Sequence, residues 1–384
     1  YLSIIRPLQT GVITNAVITA GESGFWQEGS SGVGDWYGVE YGSGKFVATG
    51  LNKIMYSTTG TSNWTLATGV GTNTWQKPVY GTDKWVAVAS DGTNRIAYSA
   101  DGTSWTSRND ADAYQLYSVV YGGGKFVAVG TGNQNPYSTD GISWLLGDTP
   151  TTSIAYDDIT YGDGKFVAVG NGGINCIEYS TDGINWSSAS APEATVWTGV
   201  TYGNGKFVAV AQSGTIRVMY STDGINWTGV NIGEGVAFLD VTYGDGKFVA
   251  TGPTSATASS SDGITWTVAT TDVSGYWNGV AYGDNKFVSV SLSGTADVMW
   301  SASGTGQAAP STGVLTFADD TDLSLFTAAD AVRQDANYTP VTSAITNATA
   351  PAGVWTGPTT NNLTQQISAI YENNAFFAGV YGVS

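Results

Sequence analysis

The sequence predicts an all-β fold: a seven-bladed β-propeller with an N-terminal strand closing the last blade, plus a small C-terminal β-rich region. Three observations predict it. A Tyr-Gly pair, a two-residue turn and a lysine recur at Tyr41, Tyr80, Tyr121, Tyr161, Tyr202, Tyr243 and Tyr282, spaced 39 to 41 residues apart. Self-similarity at such a period marks a repeat architecture. Each copy parses into four short β-rich runs bounded by turn residues, with no helical periodicity. The run after the turn, such as "FVAV" at 207–210, is apolar at every position, as a strand covered on both faces must be.

One copy justifies the elements in order. "WTGVTYG" (197–203) supplies strand A, rich in β-branched and aromatic residues. Asn204-Gly205 then gives the two positive-φ positions of a type I′ hairpin turn. The other copies place Ser43-Gly44, Thr82-Asp83, Gly123-Gly124, Asp163-Gly164, Asp245-Gly246 and Asp284-Asn285 there, all turn-compatible. Strand B is "KFVAV" and strand C is "RVMYS". A corner, "TDGIN", leads to strand D at Trp227. Closing such sheets into a ring buries both faces of every blade and protects their edges.

The corners repeat a short pattern, Ser-x-Asp-Gly-x-x-Trp, at Asp101, Asp140, Asp182, Asp223 and Asp262. An Asp here accepts hydrogen bonds from the turn's own N–H groups, and the Trp fills the gap between blades. The first copy has Thr59 instead, and the seventh has lost the pattern. The pattern resembles a shortened Asp-box of sialidase-type propellers, over about 280 residues. That resemblance implies a folding role remote from catalysis for all five Asp. Repeats of the form "GKFVAVG…YSTDGxxW" also resemble propellers of bacteriophage tail fibres, virion structural proteins and bacterial surface proteins.

Trp26 stands 15 residues before Tyr41, close to the 16 or 17 that separate later strand-D Trp from the next Tyr. The last copy has strands A, B and C but no strand D. The front of the chain therefore completes the seventh blade, with pairing expected between about 25–29 and 296–302. The domains follow: a connector at 1–24, the propeller at 25–304 and a β-rich docking region at 305–384. The stretch at 312–334 resembles a small β module of marine phage structural proteins.

Net charge is −17, with only 14 Lys and Arg scattered along 384 residues. Nucleic acid and anionic membranes are thus disfavoured as partners. One cysteine, Cys176, excludes an internal disulfide, and histidine is absent. No Ser-His-Asp set can form, no Cys/His metal cluster exists, and "DDTD" at 319–322 lacks Ca²⁺-loop spacing. We expect no metal, no cofactor and no membrane insertion. A sialidase needs three clustered Arg, whereas Arg6, Arg95, Arg108, Arg217 and Arg333 are dispersed. The expectation is therefore no enzyme, with a degenerate glycosidase as the third reading.

In a four-stranded meander the A–B and C–D turns share one face, and the B–C and D–A loops share the other. The former repeat from copy to copy, while the latter vary, so binding belongs on the variable face. Candidate ligand residues are Arg95, Asn133, Gln134, Asn135, Asn171 and Arg217. Five residues before each Tyr stands Trp36, Trp75, Leu116, Tyr156, Trp197, Phe238 or Trp277. These side chains, Trp197 and Trp277 among them, either stack on a sugar or wedge between blades. The reading is a non-enzymatic virion adhesin, a tail or fibre component meeting a host-surface glycan or protein. Its partners would be other virion proteins or further copies of itself, held through the termini. The alternative is a secreted or cell-surface lectin-like or scaffolding protein.

Overall fold

The computed structural model describes residues 26–29, 34–108, 114–132, 134–148, 154–233, 235–271, 273–294, 296–302, 342–344, 365–372 and 375–382. One compact unit spans Trp26–Ser301. It holds seven four-stranded antiparallel sheets, each in the order A-B-C-D from the inside out. Blade 5 is representative: Trp197–Gly203, Lys206–Ala211, Val218–Ser221 and Thr228–Val230. The other inner strands are Trp36–Gly42, Trp75–Gly81, Leu116–Gly122, Ala155–Gly162, Asp240–Gly244 and Gly275–Gly283. The chain is thus a seven-bladed β-propeller. Separately, Thr342–Ala344, Gln365–Glu372 and Ala375–Gly382 form a three-stranded antiparallel sheet. Among the described residues no helix is long and apolar enough to cross a membrane.

Closure is as the Trp26 spacing predicts. Gln27–Gly29 is the fourth strand of blade 7 and pairs antiparallel with Val298–Ala302, Gln27 opposite Trp300 and Glu28 opposite Met299. Trp26 is buried with Trp277, Phe287 and Met299. Blades 7 and 1 share a core in which Trp36 and Phe46 meet Val288 and Val290.

The turn between strands A and B has positive φ at both positions in all seven copies, for example Asn204 at 46° and Gly205 at 72°. The repeated Tyr-Gly pair has a second cause. The Gly that ends each inner strand packs under the Tyr of the next blade. A Cβ on Gly203 would stand 2.0 Å from Tyr243 Cγ, and one on Gly283 would stand 2.0 Å from Tyr41 Cγ. The last contact joins blade 7 to blade 1, so the same packing runs round the whole ring. Each Tyr also leans on the Phe or Trp that is second in strand B, with ring centroids 4.7–5.2 Å apart. Gly203→Ala is expected to destabilise by about 1–3 kcal/mol through overpacking, read as a lower denaturant midpoint at unchanged slope.

The Asp corners work by local hydrogen bonding. Asp262 Oδ1 accepts from the N–H of Ile264 at 2.8 Å and of Thr265 at 2.7 Å. The Gly263 N–H donates to Ser260 Oγ at 2.8 Å. The same bonds recur at Asp101, Asp140, Asp182 and Asp223. At the divergent first corner, Thr59 Oγ1 accepts the Ser62 N–H at 3.3 Å and donates to its carbonyl at 3.0 Å. A hydroxyl there keeps the turn with fewer bonds. Each of these Asp carboxylates binds the N–H groups of its own turn.

Candidate binding face

The repeated turns and the variable loops lie on opposite faces. Lys45, next to an A–B turn, donates from Nζ to the carbonyl of Asp101 in the next blade's corner at 2.6 Å. Asn204 donates likewise to the Ser261 carbonyl at 3.1 Å. On the other face the B–C and D–A loops knit together. The Asn52 N–H donates to the Asn73 carbonyl at 2.8 Å, the Thr131 N–H to the Gln115 carbonyl at 2.8 Å, and the Ala191 N–H to the Ile174 carbonyl at 2.7 Å. Glu193 binds the Thr215 N–H at 2.9 Å and the Ile216 N–H, fixing two loops of blade 5. Diversity is thus carried on a rigid frame.

Strand A delivers side chains from that face toward the axis. The residue that opens its apolar run is a wedge. Trp36, Trp75, Tyr156, Trp197, Phe238 and Trp277 are 0% exposed, and Leu116 is 1% exposed. Trp197 and Trp277 therefore offer no ring face to a sugar, because a close-packed interior has no room for one. The next residue differs in kind. Pairing skips it between Trp36 and Gly38, Leu116 and Ser118, Tyr156 and Asp158, Trp197 and Gly199, and Trp277 and Gly279. In blade 2 the skip spans Gln76 and Lys77. Such bulges free a residue from the ladder and re-aim its side chain. The freed residues include Tyr37, Tyr117, Asp157, Thr198 and Asn278, and all are half-buried.

Three of these positions are spent on the frame. Gln76 donates to Ser90 Oγ at 2.9 Å, Thr198 to the Phe238 carbonyl at 2.9 Å, and Asn278 to the Tyr37 carbonyl at 2.7 Å. The Gln76 bond stays within blade 2, while those of Thr198 and Asn278 cross to the next blade; among the described residues the side chains of Tyr37, Tyr117 and Asp157, in blades 1, 3 and 4, make no hydrogen bond to another blade. The Tyr117 hydroxyl donates to Gln115 Oε1 at 2.8 Å. Asp157 Oδ2 is buried without a hydrogen-bond partner among the described residues. Burial, then neighbouring Asp158, raises the Asp157 carboxyl to about 7.

One residue deeper, the ring is tied across its axis. Lys77 of blade 2 reaches Asp158 of blade 4 at 2.9 Å and Asp240 of blade 6 at 3.0 Å. Asp158 also accepts from Ser118 Oγ at 2.6 Å and the Val200 N–H at 2.8 Å. Asp240 accepts the Val280 N–H at 2.9 Å. The same strand position is Gly38, Gly199 and Gly279 in blades 1, 5 and 7, where a Cβ would press on the backbone of the next blade, 2.4 Å from the Gln76 carbonyl, 2.9 Å from Asp240 Cα and 3.0 Å from Gly38 Cα. The two carboxylates outweigh desolvation and hold Lys77 charged. Burial pushes Asp240 up even so, with Lys77 opposing and Asp158 reinforcing.

Glu40 faces the same axial space. It is half-buried, and burial raises its carboxyl to about 7. The Tyr41 N–H and Lys77 oppose that rise, and Asp240 and Asp158 add to it. An acid raised on folding binds more protons folded than unfolded, so its destabilising effect grows as pH rises toward 7 and fades below the unfolded value. Asp262 has the opposite sign. Its turn N–H groups hold it at about 2, so its stabilisation is lost as pH falls from about 4 toward 2. Stability is expected to peak near pH 4–5. It should decline by on the order of 2 kcal/mol by pH 8, discounted for the partial exposure of Glu40 and Asp157. Thermal melts across pH 2–9 check both limbs.

The remaining predicted site residues are dispersed. Arg95 and Arg217 are half-buried in B–C loops, with Arg95 Nε and Arg217 Nη1 buried and without hydrogen-bond partners among the described residues. Asn171 is exposed at the end of its strand, and Gln134 is half-buried. Asn135 is 1% exposed, its amide turned inward to Glu178 Oε2 at 3.5 Å. Asn133 lies outside the described residues, as do Arg6, Arg333 and the 319–322 run. The sequence reading missed the bulge residues and the axial charges. Neither is marked in the sequence of a single copy: the axial charges meet only across the ring, and a skipped pairing leaves the strand's pattern unchanged. Cys176 is buried, which pushes its thiol up to about 11 and suits packing. Among the described residues no group of three or more acids, Cys or His could hold a metal.

No protein-family model matches this chain, and no curated protein matches it. Solved structures share its fold. A streptogramin B lyase is 13% identical, with a TM-score of 0.64 over 72% of this chain and 96% of its own. A catalytically inactive virginiamycin B lyase from Staphylococcus aureus with quinupristin, carrying a histidine-to-alanine change, is 16% identical (TM-score 0.63, 72% and 97%). YCF48 bound to D1 peptide is 14% identical (TM-score 0.55, 73% and 97%). At these identities the likeness is one of fold.

Proposed function

We propose that the chain is a non-enzymatic binding propeller whose variable face takes up a host-surface protein or glycan, as a component of a virion tail or fibre. One observation carries the binding reading. A scaffold repeated seven times carries a bulge on one face in six of its blades, and the side chain there varies: Tyr37 and Tyr117 in two of them, Gln76, Asp157, Thr198 and Asn278 in the others. The likeness of its repeats to those of phage tail-fibre propellers supports the virion setting. Against catalysis stands the absence of histidine, whereas the lyase relative above is inactive once a histidine is replaced. Terminal segments would dock the ring to the particle, and many copies would offset weak single-site binding.

The test uses the full chain on a glycan array and on host-cell surface protein. Retention that Arg95→Ala, Arg217→Ala or substitutions at Tyr37 and Tyr117 weaken supports the reading. Retention indifferent to that face, or turnover of a fluorogenic sialoside, overturns it. A secreted or cell-surface location, with no association with virions, would keep the binding role and replace the setting.

A further inference from the structure

We propose that the mouth between the inner strands of blades 3 and 4 seats a lysine or arginine side chain of a protein partner, against the Tyr117 ring and the Asp157 carboxylate. The inference rests on the binding role of the variable face and names the chemistry of its partner.

Tyr117 and Asp157 occupy the same bulged position in adjacent blades. One position along the same two strands Ser118 Oγ donates to Asp158 Oδ1 at 2.6 Å, so the strands run side by side here; burial and then the Asp157 carboxylate push the Tyr117 hydroxyl upward. Among the described residues neither side chain hydrogen-bonds to another blade. Asp157 Oδ2, buried and without a partner among the described residues, is a cost in the free protein, since a buried acceptor without a donor loses its hydration for nothing. Protonation near neutral pH is the remedy open to it alone. An arriving ammonium or guanidinium would supply donors and charge together, and the tyrosine face adds a cation–π contact.

The surroundings agree in sign. Asp158 lies directly beneath, its charge shared with Asp240 over a single Lys77. Two blades away, Asp35 and Asp91 act on Tyr37, whose hydroxyl is raised first by burial and then by them. Such a mouth repels sialic acids and other anionic glycans and attracts a basic peptide segment.

The full-length protein is applied to an immobilised peptide array in which each short peptide carries Lys, Arg, Glu or a neutral residue at its centre. Preference for Lys- or Arg-centred peptides is expected. Asp157→Asn should weaken that retention at least about tenfold, as loss of one partner of an enclosed charge pair does. Its melting temperature at pH 8 should equal or exceed that of the unmodified chain. Tyr117→Leu should weaken retention while keeping the fold. Equal retention of Glu-centred and Lys-centred peptides, retention unchanged in Asp157→Asn, or no retained peptide overturns the inference. If glycans or neutral peptides still bind and variable-face substitutions abolish that binding, the cation site falls and the binding function stands. If nothing binds that face, both fall.

Discussion

Lys77→Met is expected to lower the unfolding free energy by about 3–5 kcal/mol, the cost of leaving buried charges without their partner. Among the described residues Lys77 is the one cation paired with Asp158 and Asp240, at 2.9 and 3.0 Å, and the two carboxylates share its charge. Methionine fills similar volume, so the loss is electrostatic and its pH dependence identifies it. Uncompensated carboxylates take up protons as pH falls, so the deficit should shrink between pH 8 and pH 4. Combining Lys77→Met with Asp158→Asn and Asp240→Asn should recover most of the stability, because replacing a whole buried ion cluster is often neutral. A deficit independent of pH, or one the triple variant deepens, would mean that lysine acts there by packing.

Trp26→Ala is expected to cost about 3–5 kcal/mol, the range for truncating a buried aromatic. Trp26 is 9% exposed and packs with Trp277, Phe287 and Met299, which are 0–3% exposed. Its strand is the outer edge of blade 7, so its loss also leaves Val298–Ala302 an unpaired edge. The variant should show a lower melting temperature and faster hydrogen exchange concentrated at 298–302. Exchange spread evenly through all blades would instead indicate a global effect with no special place for the closing strand.

What the sequence made legible was local. The A–B turns announce themselves because two adjacent positive-φ residues need Asn, Asp or Gly, and the seven observed turns have that geometry. The Asp corners are legible for the same reason, since donor and acceptor lie two and three residues apart. Closure was legible because a repeat with a missing strand must find it elsewhere. The axial cluster was not. Lys77 and its partners are 81 and 163 residues apart and meet only when the ring forms. Singly, each is one polar residue in an apolar strand. The bulges were hidden because the A–B segment has much the same length and hydrophobicity with or without a skipped pairing. The sequence could not choose between stacking and wedging for Trp197 and Trp277, because both roles ask for a large flat side chain at the same place. Burial decides for the wedge.

Ring closure sets the seven inner strands around one axis, and the binding mouth depends on it. A direct measurement is an oxidative cross-link between Gln27→Cys and Trp300→Cys, directly opposed in the closing pair and at a separation disulfides bridge. The account predicts an intramolecular disulfide linking these positions, with Cys176 still reduced and the protein monodisperse. Two thiols that stay free under oxidant, or that link only between molecules, would contradict it.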